Sequence, residues 1–120
     1  MDELTRMHCQ RVGVASPRLD EGEISRLIPQ LPGWKTYEKD GEPRLEKIFR
    51  FAGFRQAMAF SAQIAQVADE EDHHPALLTE WGRVTVTWWT HRIKGLHLND
   101  FIMAARTEEL YEKTTHSPTT

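Results

Sequence analysis

Between Phe54 and Asp69 the residues Ala57, Phe60, Ile64, Val67 and Ala68 recur with a 3.6-residue period, the pattern of a helix with one buried face. On either side the period drops to two. Leu45, Phe49 and Phe51 share one face of a strand, and RVTVTWWTH (Arg83 to His91) puts Val84, Val86 and Trp88 on one face and Thr85, Thr87, Trp89 and His91 on the other. A helix set between two period-2 segments, each preceded by a turn signal, restricts the chain to a small set of α+β arrangements.

The first hairpin runs from Trp34–Tyr37 through Lys39-Asp40-Gly41-Glu42-Pro43, where Asp-Gly is hairpin chemistry, into Leu45–Phe51. Lys47 on the apolar face breaks the alternation and predicts a solvated strand end. The second hairpin joins Ala76–Glu80 to Arg83–His91 across Trp81-Gly82. Upstream, Asp20 and Glu23 form a capping-box pattern ahead of Ile24, Leu27 and Ile28. Pro29 and Pro32-Gly33 stop that helix. Gly53 is the expected N-cap of the long helix, whose acidic end, Asp69-Glu70-Glu71-Asp72, opposes the dipole if it is helical. Phe101, Ala104, Ala105 and Leu110 mark a final helix from Leu98 to Thr114. The order is α-β-β-α-β-β-α, an α+β fold with a four-stranded antiparallel sheet and helices on one face. Its open edge strand favours strand-to-strand dimerisation.

At 120 residues the chain is one domain. Residues 1–18 read as a loosely ordered arm, 19–114 as the domain and 115–120 as a disordered tail. Fifteen basic against eighteen acidic residues give a net charge of −3 with all histidines neutral. That balance lacks the footprint of a nucleic-acid binder. The lone Cys9 excludes an internal disulfide framework and a CxxC site and suits a reducing cytosol. No apolar run approaches the roughly 20 residues of a membrane span, and MDELTRMHCQ is not a secretory signal. The expected location is cytoplasmic.

Four of the six histidines, His73, His74, His91 and His97, fall between residues 73 and 97. Histidine exchanges protons near neutral pH. An adjacent pair after a helix end and a third at a strand end leave three readings open: a metal site, metal-free general acid–base catalysis, or a binding module in which the histidines are incidental. His73-His74 lacks the i, i+4 spacing that sets two ligands on one helix face, although His91 and a carboxylate can join one of them. There is no GxSxG elbow and no Gly-rich phosphate loop. Trp81, beside a turn, is a candidate stacking platform. His8 and His116 read as ordinary exposed residues.

Asp69, His73-His74-Pro75, Trp81, Thr90-His91 and Asp100, taken in register, resemble the signature of the pterin-4a-carbinolamine dehydratases. Leu31-Pro32-Gly33-Trp34, Gly95-Leu96 and Asn99-Asp100 extend the resemblance over about Leu19 to Leu110. It implies the same α+β fold and assembly as a homodimer or homotetramer. It also implies a hydro-lyase that dehydrates 4a-hydroxytetrahydrobiopterin to the quinonoid dihydropterin during cofactor recycling for aromatic amino-acid hydroxylation. The enzyme so implied needs no cofactor and no metal, and takes a pterin as its small-molecule partner. Carried over by position, His73 and His91 are the acid and base, His74 binds or orients the pterin, and Asp69 holds an imidazole. Asp100 binds the pterin or braces the last helix, and Pro75, Trp81 and Thr90 join the substrate-binding set. Animal members also serve as dimerisation cofactors of a homeodomain transcription factor, so a non-catalytic module on this fold is the alternative. Three features depart from the family. His97 replaces the usual Ser or Thr cap, Arg92-Ile93-Lys94 is more basic, and Trp88-Trp89 is bulkier.

Overall fold

Asp40 and Gly41 carry the first hairpin. Both have positive φ (54° and 76°), the geometry a tight two-residue turn between antiparallel strands requires. They join β1 (Lys35–Lys39) to β2 (Glu42–Arg50). The second hairpin joins β3 (Ala76–Glu80) to β4 (Arg83–Trp88). There Gly82 has a φ of 80°, and a Cβ on it would stand 3.3 Å from the Phe51 carbonyl oxygen. The hairpins merge through β2 and β4, with Leu45 opposite Trp88 and Phe49 opposite Val84. The result is one antiparallel sheet in the order β1-β2-β4-β3, as the alternation predicts.

This computed structural model describes residues 2–13 and 15–115. Its helices are α1 (Asp2–Thr5), α2 (Glu21–Leu27), α3 (Phe54–Glu71) and α4 (Leu98–Thr115), with 3-10 turns at Ile28–Gln30 and His91–Ile93. His116 and the rest of the expected tail lie outside the described residues. The Asp20–Glu23 capping box forms in both directions, and Gly53 is the N-cap of α3. Leu45, Phe49, Val84, Val86 and Trp88 make the inner face of the sheet. Ala57, Phe60, Ile64 and Ala68 of α3 and Phe101, Ala104 and Ala105 of α4 bury against it. Phe60 packs at 5.1 Å on both Phe49 and Phe51. Burying each such side chain stabilises the fold by about 1.5–3 kcal/mol. The outer face leaves Ile48 and Leu78 exposed. Among the described residues no helix is long and apolar enough to cross a membrane.

Four local expectations change. Lys47 is not at a solvated end: its ammonium pairs with the carboxylate of Glu108 and donates to the Pro32 carbonyl at 3.1 Å. Trp34, read as the start of β1, is buried ahead of it and donates its indole N–H to the same Glu108 at 3.0 Å. β2 reaches back through Pro43, which the sequence placed in the turn. β4 stops at Trp88 rather than His91. Thr90 then bridges to Gly95, and Lys94 takes a left-handed φ of 54°, which closes the loop between β4 and α4.

Candidate active site

The site is built where α3 ends and α4 begins. Asp69, Glu70 and Glu71 belong to α3 despite the dipole, and Asp72 caps it in a left-handed conformation with φ 52°. Asn and Asp tolerate that region better than most residues. The next residues turn to opposite sides: the His73 side chain is 12% exposed and that of His74 is 57% exposed.

His73 stacks on Trp88, with ring centroids 5.6 Å apart and planes 13° apart. Its Nε2 donates to Asp100 Oδ1 at 2.6 Å, because a carboxylate can only accept. Asp100 is fully buried. Its other oxygen accepts the Thr90 hydroxyl at 2.8 Å and the His97 amide at 3.0 Å. His97 caps α4 after all, its Nδ1 accepting the Asn99 amide at 3.0 Å. One carboxylate therefore joins the loop after α3, the end of β4 and the start of α4.

The other two histidines follow the same rule. His74 Nε2 donates to Asp69 Oδ1 at 2.9 Å, and His91 Nδ1 donates to Glu42 Oε1 at 3.2 Å. His91 opens the 3-10 turn after β4, and its side chain is 80% exposed. Each imidazole thus has one nitrogen fixed by a carboxylate, and among the described residues the other nitrogen has no hydrogen-bond partner.

A cleft of about 630 Å³ lies between these elements, within the usual range for small-ligand sites. Of the expected site residues, His73, His74, Thr90 and His91 line it. Asp69 and Asp100 hydrogen-bond their histidines without lining the cleft, and both oxygens of Asp100 already accept protein donors. Pro75 leads into β3 without lining the cleft. Trp81 is 74% exposed at the β3–β4 turn, the end of that hairpin away from Thr90 and His91, so it is not brought to the cleft.

The sequence did not point to Glu42, Glu71 or the segment Cys9–Val12; Trp89 and Arg92 stood out in it only as departures from the family and Asn99 only as part of the resemblance, and all of these but Glu42 line the cleft. Trp89 lies under the Arg44 guanidinium at 4.0 Å, a cation–π contact. Burial pushes the Cys9 thiol up to about 12, with the charges of Glu71 and Asp100 adding to it. Burial acts to raise Glu71, but hydrogen bonds from His8 and the Cys9 amide and the charge of Arg106 outweigh it, so Glu71 lies below the usual carboxylate range. Among the described residues no three His, Cys, Asp or Glu side chains are grouped to hold a metal ion.

A sequence model of the family described as pterin 4 alpha carbinolamine dehydratase matches residues 17–110. A crystal structure of a transcriptional coactivator/pterin dehydratase from Brucella melitensis superposes with a TM-score of 0.72. It is 34% identical and covers 79% of this chain and 99% of its own. A pterin dehydratase-like protein identified as a RuBisCO assembly factor in the alpha-carboxysome superposes with a TM-score of 0.56 at 25% identity, over 66% of this chain and 89% of its own.

Proposed function

The chain belongs to the pterin 4 alpha carbinolamine dehydratase family, and we propose that its histidine cleft removes water from a 4a-hydroxytetrahydropterin to give the quinonoid dihydropterin. The observation that carries this reading is the convergence on one cleft of three imidazoles, each with a carboxylate on one nitrogen and the other nitrogen without a partner among the described residues. A neutral imidazole held in this way presents a lone pair. The same imidazole, once protonated, presents an N–H.

The elimination needs both forms. The base takes the proton from N5, the electron pair forms the N5–C4a double bond, and the C4a–O bond breaks as the acid protonates the departing hydroxyl. Atoms and charge balance with no redox step. We assign the two proton transfers to His73 and His91, which stand on different elements of the cleft, and the orientation of the pterin ring to His74. Asp100, Asp69 and Glu42 are positioning residues that set which ring nitrogen faces the ligand. Thr90 holds Asp100 from the other side.

In this reading residues 19–114 are the catalytic domain, working in the cytoplasm as a homodimer or homotetramer. The exposed Leu78 on edge strand β3 supports self-association. A second reading, a binding module without catalysis, draws on the two relatives named as a coactivator and an assembly factor. Stopped-flow dehydration of 4a-hydroxytetrahydropterin separates the two. Turnover by the wild-type chain that falls in His73→Ala and His91→Ala supports the enzyme. No turnover by a folded chain with all three histidines supports the module.

A further inference from the structure

The residues ahead of the matched region are not spread at random over the surface. Leu4 of α1 is buried, α1 packs on α4, and the chain then runs along the mouth of the cleft. Two devices hold it there. The Asn99 carboxamide clamps the backbone of Gln10 in both directions: Oδ1 accepts the Gln10 amide at 2.9 Å, and Nδ2 donates to the Gln10 carbonyl at 2.7 Å. Glu71 accepts the Cys9 amide on Oε1 at 2.7 Å and His8 Nδ1 on Oε2 at 2.9 Å, with the Arg106 guanidinium 3.2 Å from the same Oε2. Further along, Arg92 donates to the Val12 carbonyl at 3.2 Å. Asn99 and Arg92 themselves line the cleft with the histidines.

We propose that Cys9–Val12 forms a fixed wall of the histidine cleft, and that Asn99 and Glu71 are positioning residues that hold this wall against the bound pterin. The paired bonds to Gln10 copy the two bonds a neighbouring strand would make, so the backbone is held at a set distance and not merely tethered. The wall lies outside the matched residues 17–110, so a ligand preference arising from it belongs to this chain and not to the shared domain. Its contribution is to affinity, because none of its residues stands in the proton path assigned to the histidines. The inference rests on the pterin reading for its ligand, but docking of the wall is measurable without turnover.

Cys9 is the single thiol of the chain and lines the cleft, so its alkylation by iodoacetamide reports both docking and ligand. In the wild type, saturating 7,8-dihydrobiopterin is expected to slow alkylation about tenfold. Asn99→Leu, which removes both bonds, is expected to speed alkylation about tenfold. It should also raise KM about tenfold while kcat stays within about threefold. Asn99→Asp, which keeps the acceptor, falls between. Gln10→Pro removes the N–H that Asn99 accepts and fixes the local φ at an exposed position, and should move both readouts in the same direction should Asn99→Leu misfold. Turnover in the wild type with no protection of Cys9 by the pterin overturns the wall, as does faster alkylation in the variants at unchanged KM. Protection of Cys9 in a wild-type chain that does not turn over overturns the dehydratase reading and leaves the wall in place.

Discussion

His73 and Asp100 are 2.6 Å apart, and the carboxylate that orients this imidazole is the same one that receives the Thr90 hydroxyl and the amide of His97, the cap of α4. Orientation of the site and closure of the fold therefore share one buried group. Asp100→Ala leaves the Thr90 hydroxyl and the His97 amide without their acceptor. An orphaned buried donor costs about 1–3 kcal/mol, so a loss of about 2–4 kcal/mol in urea unfolding is expected. Asp100→Asn keeps the shape but sets an NH2 against donors. It should recover only part of that stability and leave dehydration well below wild type.

His91 gives the opposite result. Its side chain is largely exposed, so His91→Ala should leave the unfolding free energy within about 0.5 kcal/mol of wild type. The dehydration rate should fall about 10²–10⁴-fold, the usual contribution of a positioned proton carrier. Glu42→Gln, which keeps an acceptor for His91 Nδ1 but not the charge, should fall between the two. A rate unchanged in both variants removes His91 from the proton path.

The sequence pattern revealed the parts of the fold that depend on neighbours in the chain. The α3 stripe, both hairpin turns and the Asp20 capping box are local, and all formed. The pairing of Glu42 with His91 spans 49 positions and has no local signal. The end of β4 was misread for a similar reason. Trp89 and Thr90 favour strands, but β4 ends at Trp88 and the chain turns through His91–Ile93 to Lys94, whose left-handed conformation sequence associates with Gly or Asn. Trp81 was grouped with the site by motif spacing. An intervening hairpin reverses direction, so spacing along the chain is not proximity in the fold. The arm was unreadable because its anchors, Glu71 and Asn99, are ordinary polar residues until the chain folds.

Lys47 is the residue that broke the strand alternation, and its carboxylate partner lies 61 positions away on α4. Glu108 also takes the Trp34 indole N–H, so Glu108→Ala leaves that buried donor without its acceptor and Lys47 without its counter-charge at once. A loss of about 2–4 kcal/mol is expected in thermal or urea unfolding. Dehydration per folded molecule should be unaffected, since none of the three lines the cleft. Lys47→Met, which removes the ammonium without leaving a void, should cost less than Glu108→Ala.

The Glu71 anchor makes the docked arm sensitive to acid. Its folded carboxyl lies below the usual range because His8, the Cys9 amide and Arg106 outweigh the burial that acts the other way. A group lowered on folding adds stability above its unfolded pKa, about 4.3. That stability is lost as pH falls through the folded value, since below it both states carry the proton. Cys9 has the opposite sign. Its thiol is raised to about 12, so its share is complete below about 8.5, the free-thiol value, and is lost as pH climbs toward 12. Urea midpoints of wild type and Glu71→Gln at pH 7 and pH 3.5 isolate the acidic limb. The variant should be the weaker at pH 7, and the gap should narrow at pH 3.5 as the wild-type carboxyl begins to take up a proton. A gap that stays constant across that interval removes Glu71 from the acid response. Cys9→Ser, compared with wild type between pH 8 and 10.5, should shrink the alkaline loss in the same way.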